Sequence, residues 1–276
     1  MFAKLNHIAI ASDYYAINAR FYEALFGLRT AKNYRPARAT VVSDGRVGLN
    51  IIPRREGRCS GLDHFGLEVE DIDLAVSRMA KFDPTLAAIK RPPVRPFAAY
   101  SAHDPDCNVF DLSQSNIGFQ KDVYAESLER TTRHFSHVAV RTRHAEKCAE
   151  FYAEVFELQL LNKKFDDDNY YLTDGNMVLS LMQWRMEDFA DMDPQRTGPD
   201  HIGFRVESVA QVMADLEDLT GQNPLMHARP LGYGVEGKAR LDLFKKCPLG
   251  TGHITDIEGV YIDLSEEPGP SGVVAG

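Results

Sequence analysis

Six residues that can ligate a metal ion occupy matching places in the two halves of this chain of 276 residues. Each half carries two histidines and one aspartate within strand-like runs, and the two sets are His7, His64 and Asp111, and His137, His201 and Asp263. Two imidazoles and one carboxylate are the ligand set of non-haem Fe(II) oxygenases, in which further coordination positions stay open for substrate and dioxygen. The sequence therefore predicts two copies of a metal-binding site.

The two halves repeat one order of motifs at a constant offset. Leu-Asn-His-Ile-Ala-Ile around His7 matches Phe-Ser-His-Val-Ala-Val around His137, and the Phe-Tyr pair at Phe21 matches the pair at Phe151. Both offsets are 130 residues (137 − 7 and 151 − 21). Internal repetition of this kind indicates a duplicated architecture, in which equivalent residues occupy equivalent places.

Periodicity predicts the elements that must position these residues. β-rich runs predict strands at the histidines, and an apolar stripe with helical spacing follows each of them. Helices are expected at residues 13–28, 71–81, 145–158 and 209–219. Hairpins follow, with a type I′ turn at Asp44-Gly45 and further turns at 103–108 and 174–176. The chain thus reads as four modules, each a strand, a helix and two or three further strands.

Composition along the chain predicts two domains, at residues 1–115 and 133–267. A polar, mixed segment at 116–132 is expected to link them. The stretch 268–276 has no core residues to order it, so we expect a flexible tail there.

The overall composition excludes several classes of protein. The net charge of −9 and the pI near 5.5 argue against nucleic-acid binding, which needs a clustered basic face. No run approaches the roughly 20 apolar residues of a membrane helix, and the first residues lack the pattern of a signal peptide. Four cysteines without a Cys-x-x-Cys pair indicate free thiols: Cys59, Cys107, Cys148 and Cys247. We therefore expect a cytoplasmic protein that acts on a small molecule, without nucleic acid or membrane as partner.

The motifs, in this order, resemble those of the vicinal oxygen chelate superfamily, which includes glyoxalase I, type I extradiol dioxygenases and bleomycin- or fosfomycin-resistance proteins. The matching motifs are His-Ile-Ala-Ile followed by Phe-Tyr-x-x-x-Phe-Gly-Leu, then Asp-His-x-Gly-x-x-Val, and finally Asp-Pro-Asp-x-Asn-Val-x-Asp-Leu. The resemblance covers residues 3 to about 266. It implies an α+β fold of four βαβββ modules paired into two half-open β-barrel domains. It says less about the reaction, because one fold carries many chemistries.

The resemblance to extradiol dioxygenases places the principal metal in the C-terminal barrel, at His137, His201 and Asp263. The first barrel keeps an equivalent set, so both barrels are candidates. Two departures concern the ligands. The family usually closes the set with Glu rather than Asp, and the fourth ligand of glyoxalases corresponds here to Asn50 and Ser180, which are weak ligands. An open site with three protein ligands is therefore favoured.

The resemblance also implies residues that would move protons or cover the site. Extradiol enzymes place a tyrosine ten residues before the carboxylate ligand, where this chain has His253 (263 − 10), and a histidine in the third module, where residues 176–179 contain none. His253 is a candidate acid–base residue because imidazole titrates near neutral pH; the alternative is a surface histidine in a Gly-rich turn. Tyr233, between two glycines, is a candidate lid residue; the alternative is an aromatic residue packed at the rim.

The sequence thus predicts a metal-dependent oxidoreductase of aromatic compound catabolism. Fe(II) would bind two neighbouring oxygens of a catechol-like substrate, and dioxygen would be the second substrate. The missing histidine of the third module leaves open a redox-neutral lyase or isomerase that uses Ni, Zn, Mn or Co. A third hypothesis is a resistance-type binding protein, although such a protein does not need two complete ligand sets. Exposed barrel edges are consistent with a homodimer.

Overall fold

The structure, a computed structural model, contains two β-sheets. Most of the buried apolar residues on their strands belong to one hydrophobic core. The structure describes residues 1–30, 40–57, 59–92, 98–114, 132–185, 197–232, 237–238, 241–242, 244 and 249–267. The predicted linker, apart from Thr132, and the predicted tail lie outside these residues, so the proposed domain boundaries stay predictions. Among the described residues, no helix is both long enough and apolar enough to cross a membrane.

Four α-helices follow the first strands of four modules, as the periodicity predicts. They are α1 (Tyr15–Phe26), α2 (Ile72–Phe82), α3 (Ala145–Phe156) and α4 (Val209–Gln222), and a 3-10 helix (Pro224–Met226) follows α4. Asp71 caps α2 by accepting a hydrogen bond from the Leu74 N–H, and Ser208 caps α4 in the same way for Gln211. Gly27 ends α1 in the left-handed conformation at φ 68°, where a side chain would be strained.

The first half of the chain forms an eight-stranded sheet, sheet A. Its strands are β1 (Ala3–Ser12), β2 (Arg29–Thr30), β3 (Thr40–Ser43), β4 (Gly48–Pro53), β5 (Gly61–Val69), β6 (Ile89–Lys90), β7 (Tyr100–His103) and β8 (Val109–Gln114). Their order is β2-β3-β4-β1-β5-β8-β7-β6. The two module-opening strands, β1 and β5, pair antiparallel at the centre, and each has a parallel neighbour, β4 or β8.

The second half repeats this arrangement in the seven strands of sheet B. They are β9 (His134–Thr142), β10 (Gln159–Leu160), β11 (Tyr170–Thr173), β12 (Val178–Gln183), β13 (Gly198–Arg205), β14 (Gly252–Thr255) and β15 (Tyr261–Ser265). Their order is β10-β11-β12-β9-β13-β15-β14. The predicted α+β fold of paired modules in two half-open barrels is confirmed.

The main core lies where the helices of each half meet the other half. The Phe26 ring of α1 stacks on Phe204 of β13 with the ring centroids 3.9 Å apart. In the other direction, Phe156 of α3 meets Phe110 of β8 edge to face at 5.6 Å. All four rings are at most 1% exposed. Such aromatic pairs contribute about 0.5–1.5 kcal/mol each beyond their area burial, so the halves fold as one unit.

Carboxylates in the hairpin turns add polar contacts between the halves. Asp174, between β11 and β12, accepts a hydrogen bond from the Leu5 N–H at 2.8 Å. Asp44, at the equivalent turn of sheet A, accepts one from the Phe135 N–H at 3.0 Å. Because Leu5 and Phe135 lie on β1 and β9, each half anchors the first strand of the other.

The turns between the last two strands of each half make a second matching set. Asp106 accepts from the hydroxyl of Thr142 at 2.9 Å and Asp104 from the Tyr152 hydroxyl at 3.3 Å. On the opposite side, Glu258 accepts from the Asp13 N–H at 2.9 Å, and Asp256 accepts from the Tyr22 hydroxyl at 3.1 Å. These buried carboxylates therefore hold α1 and α3, and the residues just before them, across the interface.

The predicted type I′ turn at Asp44-Gly45 is wrong. Four residues, 44–47, join β3 to β4, and only Gly45 among them has a positive φ, whereas a type I′ turn needs two such residues. One oxygen of Asp44 accepts the N–H groups of Arg46 and Val47, which closes a wider turn. The other oxygen binds Phe135 N–H, so a tertiary contact selects the turn.

Replacing Asp256 by Asn is expected to remove a pH dependence of stability. Burial raises the pKa of Asp256 from 3.8 to about 6, although hydrogen bonds from Val260 and Asn18 oppose the rise. The folded state therefore binds this proton more tightly than the unfolded state. The stabilisation that protonated Asp256 gives to the folded state is complete below about pH 4 and is lost as the pH rises through about 6. The difference between the two pKa values corresponds to about 3 kcal/mol.

Denaturant titrations of the wild type and Asp256→Asn from about pH 4 to about pH 7 measure this effect. The free energy of unfolding of the wild type should fall by about 3 kcal/mol relative to that of the variant. Asp166→Asn, at an exposed loop carboxylate, is the control and should follow the wild type. Parallel curves for wild type and Asp256→Asn would contradict the assignment.

Candidate metal centres

Each predicted ligand set converges on one point at the centre of its sheet. His7, His64 and Asp111 lie on β1, β5 and β8, and their donor atoms lie within 4.8 Å of one another. Ligands at about 2.1 Å from one ion are at most about 4.2 Å apart, so small side-chain movements bring the three atoms to bonding distance.

The second set has the same arrangement in sheet B. His137, His201 and Asp263 lie on β9, β13 and β15, again with donor atoms within 4.8 Å of one another. The imidazole rings of each pair meet edge to face, with centroids 5.5 Å apart for His7 and His64 and 5.2 Å for the second pair. The structure thus brings together all six predicted ligands, as two clusters. Their role as ligands stays a prediction.

Glycines on the neighbouring strand make room for the first imidazole of each cluster. Gly66 pairs with His7 across β1 and β5, and a Cβ built on it would lie 2.0 Å from the His7 ring. Gly203 pairs with His137, and its Cβ would lie 2.0 Å from that ring. The glycine of the Asp-His-x-Gly motif is therefore required by the histidine of the preceding module.

A β-bulge precedes every one of the four histidines. The pairing of β1 with β5 shifts by one residue at Asn6 and at Asp63, and the pairing of β9 with β13 shifts at Ser136 and Asp200. A bulge turns two successive side chains to the same side of a strand, which regular alternation forbids. Each bulged residue can therefore reach the ring of the histidine that follows it.

The bulged residues bind the Nδ1 atoms of the histidines. The distances from Nδ1 are 2.8 Å to Asn6 Oδ1, 2.7 Å to Asp63 Oδ2, 3.0 Å to Ser136 Oγ and 2.7 Å to Asp200 Oδ2. The three carboxylate or amide oxygens are acceptors, so these rings carry a proton on Nδ1 and turn Nε2 to the cluster. This contact is typical of metal-ligating histidines, whose outer nitrogen is held by a second residue.

The N-terminal cluster neutralises its own charge. Burial raises the pKa of Asp111, but hydrogen bonds from His64 and Ser101 outweigh it and bring the pKa to about 2. Burial lowers the pKa of His64, but its hydrogen bonds and ionic contacts with Asp111 and Asp63 have the larger effect and raise the pKa to about 9. For His7, burial and the nearby His64 charge lower the pKa to about 3. The cluster therefore contains an ion pair, with His64 Nε2 3.2 Å from Asp111 Oδ2.

The C-terminal cluster differs, because Asp263 makes no such ion pair with His137. Burial raises the pKa of Asp263 to about 8, and burial followed by the His201 charge lowers the pKa of His137 well below its usual range. Both oxygens of Asp263 are buried, and neither makes a hydrogen bond to a described side chain. The nearest imidazole nitrogens are His253 Nε2 at 3.4 Å and His137 Nε2 at 3.5 Å. A buried carboxylate beside imidazole nitrogens has the donor set that a divalent cation requires, so the residues fit a metal.

Of the two predicted acid–base and lid residues, one lies at the C-terminal cluster. His253 pairs with Asp263 across β14 and β15 and is about one-fifth exposed, with its side chain turned to the carboxylate. The alternative, a surface histidine, does not describe this position. Tyr233 lies outside the described residues, so its role as a lid stays a prediction.

The positions of the fourth glyoxalase ligand are occupied as the sequence indicates. Asn50 pairs with Ala9 on β1, and its buried Oδ1 makes no hydrogen bond to the described residues. Ser180 pairs with Ala139 and is fully buried. Both lie two residues along the sheet from the first histidine of their cluster.

A second, smaller apolar cluster lies beside the C-terminal ligands. It consists of Ala139, Leu161, Tyr171, Val178, Met182, Trp184 and Leu249. Alternate residues of a strand face the same side, so Ala139 shares its face with His137, and Val178 pairs directly with His137. Phe244 adds a ring 4.5 Å from that of His201 and 4.7 Å from that of His253. The cluster therefore makes an apolar wall next to the ligands.

Sequence reasoning missed the residues that support the ligands. Ser101 donates a hydrogen bond to Asp111, and Arg91 Nε donates one to Ser101 Oγ at 2.6 Å. In sheet B, Arg141 holds Asp200 at 2.8 Å. The only signal in the sequence was that a polar residue precedes each histidine inside an apolar strand, whereas nothing local indicated Arg91.

Comparison with known families agrees with this geometry. The model of the Glyoxalase/Bleomycin resistance protein/Dioxygenase superfamily matches residues 4–112 and 134–234. Since these segments make up more than half of the chain, the protein belongs to this superfamily, and the resemblance stated from the motifs is confirmed. A comparison with curated proteins finds no significant match.

Solved structures share the fold at low identity. An Mn(II)-bound glyoxalase from Novosphingobium aromaticivorans is 13% identical with a TM-score of 0.62, over 96% of this chain and 82% of that one. A variant of homoprotocatechuate 2,3-dioxygenase from B. fuscum, solved with HPCA, is 12% identical with a TM-score of 0.61, over 98% and 73%. A xylose isomerase-like TIM barrel/4-hydroxyphenylpyruvate dioxygenase fusion protein is 15% identical with a TM-score of 0.61, over 99% of this chain. This chain spans 50% of that fusion protein. At these identities the likeness shows the fold alone.

Replacing Gly203 by Ala is expected to remove the C-terminal metal site. The new Cβ would overlap the His137 ring, and the ring would have to leave the cluster. Equilibrium dialysis with Co(II) should then give about one equivalent less per chain than the wild type, and Gly66→Ala should do the same for the N-terminal cluster. Gly221→Ala is the control, since its Cβ meets no atom within 4 Å. Unchanged Co(II) binding by a folded Gly203→Ala would contradict the proposed ligation.

Removing the carboxylate behind a ligand histidine is expected to weaken metal binding without abolishing it. Asp63→Ala leaves His64 Nδ1 without its acceptor, so the ring loses its fixed tautomer and orientation. Such changes cost about 10–100-fold in metal affinity, and Asp63→Asn should recover most of the loss because its amide oxygen still accepts. Competition with a coloured chelator measures the affinity. Equal affinities for the wild type and Asp63→Ala would show that the contact is not used.

Proposed function

We propose that the protein is an Fe(II)-dependent dioxygenase of the extradiol type, and that it acts on a catechol-like substrate in the C-terminal barrel. His137, His201 and Asp263 would hold the metal. When bound, Fe(II) would acidify a coordinated substrate hydroxyl and activate dioxygen. The observation that carries the proposal is the buried Asp263 carboxylate, which lies with the His137 and His201 imidazoles in one compact cluster and makes no hydrogen bond to a described side chain.

The three-ligand set favours a reaction in which the substrate and a second small molecule share the metal. Ser180 stands where a fourth protein ligand would close the site, and a serine hydroxyl is a poor ligand for a divalent metal. Coordination positions therefore stay available for two substrate oxygens and dioxygen.

The apolar wall supports an aromatic substrate. Trp184, Tyr171, Met182 and Leu249 can bury one face of a ring while its two oxygens reach the ligands. Burying a ring of this kind contributes on the order of 2 kcal/mol and excludes water from the site. A substrate with an apolar ring substituent would use more of this wall.

His253 is the residue that we propose moves the proton. Its Nε2 lies 3.4 Å from Asp263 Oδ1, so a substrate oxygen beside the carboxylate would also be within its reach. Phe244 packs on the ring and restricts its orientation. His253 thus replaces the tyrosine that extradiol enzymes are expected to use at this place.

A redox-neutral lyase or isomerase is the second candidate. The observation that favours it is the sequence of residues 176–179, which carries no histidine where ring-cleaving relatives are expected to use one. In this alternative Mn, Ni, Zn or Co would stabilise an anion derived from the substrate, and dioxygen would not react. The predicted homodimer and cytoplasmic location stay predictions under both functions.

Oxygen consumption tests the proposal directly. Protein loaded anaerobically with Fe(II) should consume about one dioxygen per catechol and form a coloured ring-opened product, because both reactants share one metal. His137→Ala should lower the rate at least about 100-fold, since it removes a ligand. His144→Ala, at an exposed histidine ahead of α3, is the matched control and should keep the wild-type rate.

Two outcomes would overturn the proposal. One is the absence of oxygen uptake from several catechols with protein that has bound iron. The other is turnover of a vicinal-oxygen substrate at the same rate under argon, which would establish the redox-neutral alternative.

A further inference from the structure

Arg91 brings a positive charge to the rim of the N-terminal cluster. Its backbone N–H donates to the Ala99 carbonyl at 2.8 Å, which holds the residue beside β7. Its Nε donates to Ser101 Oγ at 2.6 Å, and Ser101 donates to Asp111. Two hydrogen bonds therefore link the guanidinium to a proposed metal ligand and fix the orientation of its plane.

The two terminal nitrogens of Arg91 have no acidic partner among the described residues. Neither makes a hydrogen bond or an ion pair there, and the following sequence, Pro-Pro-Val-Arg-Pro-Phe, contains no acid. Arg141 at the C-terminal cluster differs, because Asp200 holds its Nη1 at 2.8 Å. A half-buried guanidinium with both Nη groups available is suited to a carboxylate, which it can bind with two parallel hydrogen bonds.

The residues around the two clusters have opposite polarity at equivalent places. Ser101 pairs with Asp111 as His253 pairs with Asp263, but Ser101 leads to an arginine whereas His253 is covered by the ring of Phe244. The sheet beside His7 presents Ala9 and Asn50, whose buried Oδ1 is an open acceptor within the described part of the chain. The surroundings of the N-terminal cluster therefore offer charge and hydrogen bonds, and those of the C-terminal cluster offer apolar surface.

We infer that the N-terminal cluster is a second ligand site, which binds a small anionic chelator. Such a molecule has two neighbouring oxygens for the metal and a separate carboxylate for Arg91. The inference rests on the proposed function only in requiring a cation at His7, His64 and Asp111. It goes beyond that function because it assigns a different class of ligand to the first barrel.

The test compares two chelators that differ only in a carboxylate, catechol and 3,4-dihydroxybenzoate. His137→Ala restricts Co(II) to the N-terminal cluster, and the visible spectrum of the bound Co(II) reports binding of each chelator. We expect 3,4-dihydroxybenzoate to bind about 10–100-fold more tightly, as for a charge-assisted hydrogen-bonded pair. Adding Arg91→Gln should remove this preference, and Arg91→Lys should keep part of it. Lys90→Gln, which removes a charge from the exposed neighbouring residue, should leave it intact.

Each outcome decides the inference. Equal affinities for the two chelators, or a preference that survives Arg91→Gln, would overturn it while leaving the metal site in place. Failure of folded His137→Ala to bind Co(II) would overturn the metal chemistry of the first barrel together with the inference. If circular dichroism shows that His137→Ala is unfolded, Asp263→Asn provides the same background.

Discussion

Hydrogen bonds from strand N–H groups to turn carboxylates of the other half set the frame on which both candidate metal centres depend. Asp174 binds Leu5, two residues before His7, and Asp44 binds Phe135, two residues before His137. These are buried donors, and leaving one of them unsatisfied costs about 1–3 kcal/mol. A separated half would also expose rings such as Phe204, which stacks on Phe26 of the first half. The duplicated chain is therefore a single unit, in which the first ligand strand of each half is held by the other half.

Within that frame, each cluster must bury polar donors at the centre of a sheet, where unpaired charge is costly. The first cluster solves this with an imidazolium–carboxylate pair, His64 and Asp111. The second keeps the proton on Asp263, as its pKa of about 8 indicates. A divalent cation would replace the proton in both cases and bind all three donors at once. The bulges and glycines that aim the rings have no comparable use in an ordinary sheet core, since they interrupt regular pairing around Asn6 and Asp200.

The sequence predicted the parts of this arrangement that depend on local pattern or on repetition. Apolar periodicity located the four helices, and the repeat located His7 and His137 as equivalents in two copies of one fold. The bulges escaped prediction because a shift of register is a property of two paired strands, and Asn6 shows it only against β5. The Asp44 turn was wrongly predicted for the same reason, because its carboxylate accepts a hydrogen bond from the N–H of Phe135, which lies 91 residues away. Arg91 reaches Asp111 only through the pairing of β7 with β8.

Under the proposals above, the positions of these residues explain how two barrels with identical ligand types would serve different chemistry. The central strands are constrained on both faces, by the core on one side and by close glycine–histidine contacts such as Gly66 with His7 on the other. The outer hairpins are constrained on fewer sides, because β6 and β14 are the last strands of their sheets. The first half has Ser101 where the second half has His253. Such a difference alters what lies beside the candidate metal site without disturbing the core. The centre of each sheet thus fixes where a cation can bind, and the edge hairpin determines which molecule can join it.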